Sequence, residues 1–291
     1  MSRIVISGAT GLVGRFIAEH FLQLGEDVVA MCRKAPAAGF FSKPVQWVPG
    51  DLEPEKDWTA SFEGADYFVH CAFSHVTGKY RGGEGNDPNE FRRLNANGSL
   101  ALFNAAKSAG VKRAVFLSSR AVYDGVSSGS NLTEDMQVAP TSLYGQVKHK
   151  VENGLVELAD KSFLPMSIRA TGVYGANRGH KWEALFEAFK LGEAIAPRIG
   201  TELHGDDLAK ATALLFHVDE QNLIVFGRVP LFNASDIMLD RHDLLRAYGG
   251  QKEIDGMLPV KADASMVSVM DCSRLKSLGW QPRQKLDLEG F

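Results

Sequence analysis

The feature that most constrains the fold of this chain is a strand, a glycine-rich turn and a helix at its start. Residues 4–6 form a short β-branched run, and residues 15–24 have the apolar spacing of an amphipathic helix. Between them stand Gly8, Gly11 and Gly14 in a Gly-x-x-Gly-x-x-Gly pattern. Because glycine has no side chain, the backbone of such a turn can approach a pyrophosphate at the N-terminus of the helix. The pattern therefore predicts a dinucleotide-binding turn.

The cofactor preference depends on the end of the next strand. Residues 27–32 form a second buried strand, which closes the first strand–helix–strand unit. An acidic residue at the end of this strand typically binds the ribose hydroxyls of NAD, whereas an arginine accommodates the 2′-phosphate of NADP. Cys32 and Arg33 stand there, followed by Lys34. We therefore expect NADP as the cofactor, with NAD as the alternative if Arg33 and Lys34 are only a solvated basic pair.

The alternation of strands and helices continues along the chain. Further strands are predicted at residues 45–48, 67–72 and 113–118, with a helix at about 90–109. This order predicts a doubly wound parallel α/β sheet, in which ligands bind in the crevice at the carboxyl ends of the strands. The glycine-rich polar stretch between residues 74 and 89 predicts an irregular loop, which could cover the site or have no such role.

Tyr144 and Lys148 form the pair with the clearest chemical potential. Four residues apart on a helix, they lie on the same face, one turn apart. A free tyrosine titrates at about 10, but a neighbouring cation favours its phenolate, so Tyr144 could exchange a proton with a substrate oxygen. The spacing alone also fits an ordinary exposed pair on a helix.

Composition excludes several classes of partner and site. The 291 residues carry a net charge of −3 without a long basic or acidic run, so neither nucleic acid nor an anionic membrane is expected to bind. No apolar run reaches the length of about 18 residues that a membrane span needs. The three cysteines are scattered, which indicates a reducing cytoplasm, and the histidines lack metal-ligand spacing, so no metal site is expected.

Polar residues at two places in the chain are expected to stabilise the fold and not to bind substrate or cofactor. Asp206 and Asp207 precede a helix that begins near Leu208, so at least one of them is expected to cap it. Arg169, at the end of a strand, is expected to form an ion pair within the protein and not to bind substrate.

Taken in order, these motifs resemble the extended short-chain dehydrogenase/reductases, also called the NAD-dependent epimerase/dehydratase family. The resemblance continues through residues 168–175, 203–209 and 278–282 and so covers essentially the whole chain. The motifs that carry it are Gly8-x-x-Gly11-x-x-Gly14, Asp51-Leu52, Asn95, Ser119 and Tyr144-x-x-x-Lys148.

The resemblance implies a fold and a division of the chain. The expected fold class is α/β, a Rossmann-like doubly wound parallel sheet with a smaller C-terminal substrate-binding lobe. The dinucleotide-binding domain would comprise residues 1–170, with about 205–235 returning to it. The smaller lobe would comprise about 171–204 and 236–291.

The resemblance also implies roles for individual residues. Ser119 would hydrogen-bond a substrate hydroxyl or carbonyl, Tyr144 would act as acid and base, and Lys148 would hold the nicotinamide ribose and lower the pKa of Tyr144. Asn95 would organise the helix beside the site. The residues expected at the cofactor are Gly8, Thr10, Gly11, Leu12, Val13, Gly14, Arg33, Asp51, Leu52, Ala72, Phe73, Asn95, Tyr144 and Lys148.

Departures from the family pattern narrow the expected chemistry. Sugar-nucleotide dehydratases typically have an Asp-Glu pair after the position of Ser119, where this chain has Arg120 and Ala121, so a 4,6-dehydratase is disfavoured. Epimerases often have an asparagine at the position of Gly172. The segment between residues 175 and 204 is short, which indicates a small pocket. Four polar residues in it could hold a phosphate or carboxylate or be a solvated loop: Asn177, Arg178, His180 and Lys181.

The expected activity is hydride transfer between NAD(P) and a secondary alcohol or ketone carbon of a small molecule, with a sugar or sugar nucleotide as one substrate class. The alternatives are a carbonyl reductase of small, flavonoid-like or steroid-like ketones and a dinucleotide-binding sensor without turnover. A homodimer is expected, because the helices at about 90–109 and 143–160 match those of the family's four-helix dimer contact.

Overall fold

The structure is a computed structural model that describes residues 1–76, 83, 85–176 and 180–291. Twenty-one labelled elements occur in these ranges. The strands are β1 Arg3–Ser7, β2 Asp27–Cys32, β3 Gln46–Pro49, β4 Tyr67–His70, β5 Arg113–Ser119, β6 Asn131–Leu132, β7 Leu164–Ala170, β8 Gly172–Tyr174, β9 Ile199–His204, β10 Leu231–Ala234, β11 Ile237–Asp240 and β12 Val269–Met270. The α-helices are α1 Leu12–Gln23, α2 Pro88–Arg92, α3 Ser99–Ser108, α4 Leu143–Leu158, α5 Glu183–Lys190, α6 Gly205–His217, α7 Glu220–Ile224, α8 Arg241–Lys252 and α9 Ser273–Ser277.

A seven-stranded parallel sheet forms the centre of the molecule. Its strand order is β10-β7-β5-β4-β1-β2-β3. The strands in its middle are almost entirely buried, as in a parallel sheet covered on both faces, which explains their continuous apolar runs. The prediction of a doubly wound α/β sheet is confirmed, and β1 lies at the point where the strand order reverses.

A smaller sheet of three strands lies after β7. Its order is β11-β9-β8, with β8 and β9 parallel and β11 antiparallel to β9. Aromatic side chains from this sheet, α5 and α8 form a separate apolar cluster, within which the rings of Phe186 and Tyr248 stack with centroids 3.8 Å apart. Cys272 and Trp280, from the range expected in the smaller lobe, instead pack with the core of the large sheet. The division into two domains otherwise stays a prediction.

The helix expected at about residues 90–109 is longer and interrupted. It begins at Pro88, because the Asp87 carboxylate accepts hydrogen bonds from the first N–H groups of α2, at 3.0 Å from each nitrogen. A π-helical turn, Arg93–Gly98, then separates α2 from α3. The last residues of the predicted irregular loop are therefore helical, and residues 77–82 and 84 of that loop lie outside the described residues.

The two structural expectations have different outcomes. Arg169 is confirmed as an ion-pair partner, since its Nη2 lies 2.7 Å from Glu152 Oε2 and both side chains are buried. The expectation that Asp206 or Asp207 caps α6 is wrong. The helix begins at Gly205, and the His204 side chain accepts the capping hydrogen bond from the backbone N–H of Asp206 at 3.1 Å.

Candidate active site

The glycine turn after β1 is packed against the end of β4. Gly8 has a φ of +68°, and a Cβ at this position would lie 2.7 Å from the backbone nitrogen of Ala72. A Cβ on Gly14 would lie 2.2 Å from the carbonyl oxygen of Gly8. Neither position therefore accepts a side chain without movement of the backbone. Since the strand order reverses between β1 and β4, the turn lies at the crevice where open α/β sheets bind ligands.

The N-terminus of α1 adjoins this turn. Gly11 occupies the N-cap position in an extended conformation, and no side chain caps the helix. The first N–H groups of α1 consequently have no partner within the helix. Thr10 and Gly11 are exposed, and Leu12 and Val13 are half-buried. Open N–H groups beside a turn without side chains fit the pyrophosphate of a dinucleotide, as the sequence predicts.

Arg33 lies exposed directly after β2. The segment that follows it folds back onto α1, where Ser42 donates its backbone N–H to the Glu19 carboxylate at 3.0 Å. In the same region the guanidinium of Arg15 lies 4.8 Å from the centroid of the Phe40 ring. Arg15 was not among the predicted cofactor residues, although its place directly after Gly14 puts it at the end of α1 that is predicted to bind phosphate.

Asp51 and Leu52 follow β3 and have different environments. Leu52 is buried beneath the π-helical turn, where a Cβ on Gly98 would lie 2.0 Å from the Leu52 carbonyl oxygen. Asp51 accepts a hydrogen bond from the backbone N–H of Glu53 at 2.8 Å and pairs with the Lys56 ammonium at 2.7 Å. The expected contact of Asp51 with an adenine stays a prediction.

Asn95 fastens the chain that leaves β4. Its buried side chain accepts from the backbone N–H of Ser74 at 2.7 Å and donates to the Ser74 carbonyl at 2.8 Å. It also donates to the carbonyl of Phe91 at 3.0 Å. Asn95 therefore fixes the course of the segment that contains Ala72 and Phe73, which is an organising role beside the crevice.

Tyr144 and Lys148 extend from the first two turns of α4. The helix begins here because the Ser142 hydroxyl oxygen accepts the backbone N–H of Gly145 at 3.1 Å. Lys148 Nζ lies 5.8 Å from the centroid of the Tyr144 ring. The half-buried Tyr144 ring also meets the ring of Phe73 edge to face, with centroids 5.0 Å apart. The structure thus brings the predicted acid/base pair next to a predicted cofactor residue.

Lys148 is a buried cation in an aromatic setting. Its side chain is 5% exposed, and Nζ donates to the carbonyl oxygen of Leu117 at 2.7 Å. Nζ also lies 4.7 Å from the ring centroids of both Phe73 and Phe116. Burial lowers the pKa of Lys148 to about 8, so the ammonium form still predominates at neutral pH.

Ser119 ends β5, two residues beyond the carbonyl that Lys148 contacts. In the sheet it lies opposite Ala170 of β7. Its Oγ accepts the backbone N–H of Ala121 at 3.1 Å and thereby caps the short 3₁₀ helix Arg120–Tyr123. Because Oγ is the acceptor in this bond, the hydroxyl hydrogen of Ser119 remains to be donated to another oxygen.

A buried hydrogen-bond chain runs beneath these residues. His70 Nδ1 lies 2.6 Å from Ser7 Oγ, and Nε2 lies 2.8 Å from Ser99 Oγ. Since Ser99 donates its own hydrogen to the Asn95 carbonyl at 2.6 Å, Nε2 must donate to Ser99, and Nδ1 must accept from Ser7. Burial lowers the pKa of His70 to about 3, so the imidazole stays neutral.

A second buried group supports the same helix. The Glu152 carboxylate accepts from Ser118 Oγ at 2.5 Å and from the Arg169 guanidinium at 2.9 and 2.7 Å. Burial, the largest single influence, disfavours the charged carboxylate, but the hydrogen bonds with Arg169, His149 and Ser118 and the charge of Arg169 together outweigh it, so the pKa of Glu152 is lowered. Glu152 was not among the predicted site residues, although it lies one helical turn after Lys148 on the same face of α4 as Tyr144 and Lys148.

The remaining expectations concern the polar residues after Gly175, metal binding and membrane insertion. Asn177 and Arg178 lie outside the described residues, whereas Lys181 forms an ion pair with Glu202. Over the described ranges, no group of three or more His, Cys, Asp and Glu side chains is placed to hold a metal ion. In those same ranges no helix combines the length and the apolar character needed to cross a membrane.

Comparisons with known protein families and sequences agree with this geometry. The profile of the NAD dependent epimerase/dehydratase family matches residues 4–224. Over 221 residues the chain is 28% identical to UDP-glucose 4-epimerase from Streptomyces lividans, a match that covers 70% of this chain and 64% of the relative. Over 196 residues it is 29% identical to the decarboxylating sterol-4-alpha-carboxylate 3-dehydrogenase from Bos taurus, covering 66% of this chain and 52% of the relative. The chain thus spans only part of the length of these relatives.

Solved structures share the fold. The structure of MoeE5 in complex with UDP-glucose and NAD superposes with a TM-score of 0.78 at 20% sequence identity and covers 98% of this chain and 94% of MoeE5. This agreement extends over nearly the whole chain and establishes the Rossmann-like architecture.

Proposed function

Since the chain belongs to the NAD-dependent epimerase/dehydratase family, we propose that it transfers a hydride between NAD(P) and a secondary alcohol or ketone carbon, with Tyr144 as the acid/base. The observation that carries this proposal is the buried Lys148 ammonium, placed 5.8 Å from the Tyr144 ring and bonded to β5 just before Ser119. A cation in this position favours the phenolate form of Tyr144. If Tyr144 and Lys148 were an ordinary surface pair on a helix, the Lys148 ammonium would not need to be buried.

Each residue of the site has a distinct part in this reaction. The cofactor, held by the glycine turn and the N-terminus of α1, supplies the hydride chemistry. In the direction of reduction, the Tyr144 hydroxyl donates its proton to the carbonyl oxygen while the carbon receives the hydride. The free hydrogen of Ser119 donates to the same oxygen and orients it, and the Lys148 ammonium stabilises the remaining phenolate. Oxidation of an alcohol uses the same groups in reverse.

Replacement of Tyr144 by Phe tests the proposal. Substrates are first found by screening sugar nucleotides and small ketones for absorbance change and product. Loss of the hydroxyl should then reduce turnover at least about 100-fold, because general acid/base catalysis contributes at least that much, while cofactor affinity changes little. Tyr67→Phe, at the opposite end of the sheet, serves as the matched control and should keep normal turnover. Normal turnover in Tyr144→Phe would refute the role of this residue.

We propose that NADP is the preferred cofactor, because Arg33 stands exposed at the end of β2, and Arg15 of α1 contacts Phe40 in the segment that follows it. Trp47 provides a readout, since its indole N–H donates to the Cys32 carbonyl at 3.2 Å, beside Arg33. In a tryptophan fluorescence titration NADPH should bind several-fold more tightly than NADH, and Arg33→Glu should remove this preference. Equal affinities in the unaltered protein would leave NAD as the cofactor.

Epimerisation and simple carbonyl reduction share the first hydride transfer. The place of an asparagine common in the epimerases is taken here by Gly172, where a Cβ would lie 2.6 Å from both Glu202 Oε2 and Lys181 Nζ. This ion pair fills the space and supports the second candidate, a reductase of small ketones. Stoichiometric loss of NADPH with a ketone substrate would establish the reductase, whereas an epimerase would recycle the cofactor without net consumption.

We further propose a cytoplasmic homodimer that pairs through α3 and α4. The three cysteines are free thiols, which fits a reducing compartment. On the outer surface of the two helices the exposed side chains are mostly polar, including Asn104, Asn153 and Glu157, with Val156 as an apolar exception. Light scattering after size exclusion should give twice the chain mass of 31.7 kDa, and a Val156→Glu variant should shift it towards the monomer.

A further inference from the structure

Glu152 is a buried acidic residue on the helix that carries Tyr144 and Lys148. Its side chain is 7% exposed and lies one helical turn beyond Lys148 on the same face of α4. A buried carboxylate costs free energy, and even a buried ion pair seldom stabilises a fold more than apolar residues of the same size. Stability alone therefore does not explain a charged group at this place.

Two consecutive buried groups of α4 hold the end of β5. Lys148 Nζ donates at 2.7 Å to the carbonyl oxygen two residues before Ser119. The Glu152 carboxylate accepts from the Oγ of Ser118, the residue directly before Ser119, at 2.5 Å. Because Tyr144 lies one turn before Lys148 on the same helix, this double attachment sets its position relative to Ser119.

Arg169 fixes the direction of the Glu152 carboxylate. Its Nε and Nη2 donate to the two carboxylate oxygens at 2.9 and 2.7 Å, the geometry of a bidentate pair. Arg169 lies opposite Ser118 in the sheet, so β7 and β5 hold the same carboxylate, and His149 Nδ1 of α4 lies 3.4 Å from its Oε2. The negative charge of Glu152 is thus kept at a fixed place one helical turn from Lys148.

The ionisable side chains that the described structure places around the Lys148 ammonium come from the end of β4 and from α4: His70, Cys71, Tyr144 and Glu152. Burial keeps the first two neutral, because it lowers the pKa of His70 to about 3 and raises the pKa of Cys71 to about 12. From β5 the uncharged ring of Phe116 faces the ammonium. Burial, the largest influence, lowers the pKa of Lys148 to about 8, and with Cys71 neutral the charge of Glu152 opposes this lowering.

We propose that Glu152 is a positioning residue of the active site, which keeps Lys148 charged and holds Tyr144 in place. This inference rests on the proposed function and names a residue on which the acid/base pair depends. Glu152 acts through the Lys148 ammonium and through the attachment of α4 to β5, and not by contact with substrate or cofactor. A purely structural ion pair with Arg169 would be replaceable by a neutral pair without any change in Lys148.

Carbon-13 NMR of the lysine side chains measures the charge of Lys148 without any substrate. In protein labelled with carbon-13 lysine, the Lys148 Cε resonance is assigned by its loss in Lys148→Met and followed from pH 6 to pH 10. In the unaltered protein it should titrate with a pKa of about 8. In the double variant Glu152→Gln/Arg169→Gln the midpoint should fall by at least about 0.5 pH unit, because a negative charge roughly 6 Å away, one helical turn, is removed. An unchanged midpoint, or a Lys148 that is already neutral at pH 7 in the unaltered protein, would overturn the proposal.

The double variant keeps the buried charges balanced. Glu152→Gln alone would leave Arg169 as a buried cation without its partner, which is strongly destabilising, whereas two amides can hydrogen-bond each other. Urea unfolding establishes that the double variant folds. If it does not fold, Glu152→Met/Arg169→Met, which replaces the pair by apolar residues, provides the same test. Glu63→Gln is the control, since it removes an exposed carboxylate that precedes β4 at the opposite end of the sheet, and it should leave the midpoint of Lys148 unchanged.

Turnover provides a second readout, with a ketone substrate found by screening. At saturating cofactor, kcat for reduction should fall as the pH rises and Lys148 loses its proton, and in the double variant this fall should occur at lower pH. At pH 6, where Lys148 is charged in both proteins, the double variant should have a lower kcat and nearly the same KM, because Tyr144 is held less firmly.

The two readouts separate this inference from the proposed function. A shifted midpoint of Lys148 with an unchanged pH dependence of kcat would overturn the role of Glu152 in the reaction. A shifted midpoint without hydride transfer for any substrate would refute the proposed function, while the effect of Glu152 on Lys148 would stand.

Discussion

His70 stabilises the candidate site from below through buried hydrogen bonds and is not expected to contact a ligand. It connects Ser7, just before the glycine turn, to Ser99 and Asn95 on the helical segment that follows. Asn95 in turn holds Ser74, so the network joins the ends of β1 and β4. The sequence suggested no role for His70 beyond that of a possible metal ligand, because its hydrogen-bond partners Ser7 and Ser99 are far from it along the chain.

The neutral state of His70 should be visible in the pH dependence of stability. Unfolded, the imidazole accepts a proton below about pH 6.5, but in the folded protein its pKa is lowered to about 3 by burial. Between these values the unfolded chain binds more protons, so the free energy of unfolding should fall as the pH decreases, by up to about 1.4 kcal/mol per pH unit.

Urea unfolding between pH 4 and pH 6 measures this slope. The other titrating groups contribute equally to the unaltered protein and to His70→Gln. The free energy of unfolding of the variant should therefore change less steeply with pH, by up to about 1.4 kcal/mol per pH unit, which corresponds to one proton. The same slope in both proteins would mean that His70 is already charged in the folded state.

The spacing of Tyr144 and Lys148 was readable from the sequence, because four residues on a helix define one face. That spacing did not reveal that the Lys148 side chain is buried. The aromatic contacts of Lys148 come from Phe73, in the segment after β4, and from Phe116 of β5, and Glu152 is held in the site by Arg169 of β7. Each of these contacts joins residues that are distant in the chain.

Among the elements, the strand–turn–helix unit at the start of the chain was the most predictable. The second strand agrees with its predicted bounds, Asp27–Cys32, and α1 begins three residues before the predicted start. The helical segment from α2 to α3, expected at about residues 90–109, was harder to predict. Its π-helical turn accommodates the contact of Gly98 with Leu52, which belongs to a different part of the chain.

At the scale of the elements, the substitution Gly14→Ala should strongly destabilise the turn between β1 and α1. The new Cβ would lie 2.2 Å from the backbone oxygen of Gly8, so the turn itself would have to move. We expect a loss of about 1–3 kcal/mol in the free energy of unfolding and a marked loss of cofactor affinity, measured by urea unfolding and fluorescence titration.

Gly250→Ala provides the control for this substitution. Gly250 is exposed in α8, and a Cβ there would meet nothing within 4 Å. Because alanine favours the helix over glycine, this variant should be more stable by up to about 1 kcal/mol. Similar effects of the two substitutions would indicate that the turn is flexible enough to accept a side chain.

At the scale of the whole molecule, the stretch after α9 links an apolar core of the large sheet with the aromatic cluster of the three-stranded sheet. Trp280 packs in the core of the large sheet, and Leu288 packs in the cluster of the smaller sheet. Between them Arg283 pairs with the buried Asp207 of α6, Nε to Oδ2, at 2.9 Å, and the indole N–H of Trp280 donates to the Asp207 carbonyl at 2.8 Å. The Asp207–Arg283 pair therefore anchors this stretch to α6, which packs in the core of the large sheet.

Asp207→Asn should weaken this anchor. The amide has the shape of the carboxylate but cannot balance the charge of Arg283, so we expect a loss of about 2–3 kcal/mol in guanidinium unfolding. Asp206→Asn removes a neighbouring, half-exposed partner of the same arginine and should cost less than about 1 kcal/mol. Equal losses in the two variants would place the anchor elsewhere.

The sequence by itself determined the class of the fold, the glycine turn and the placement of Tyr144 and Lys148 on one helix face. Each of these is encoded in local spacing: the alternation of buried strands and helices, three glycines and a four-residue interval on one helix face. Only the tertiary structure decided what surrounds them. The His70 network, the burial of Lys148 and the Lys181–Glu202 ion pair over Gly172 all depend on contacts between segments far apart in the chain, and local patterns carry no information about such contacts.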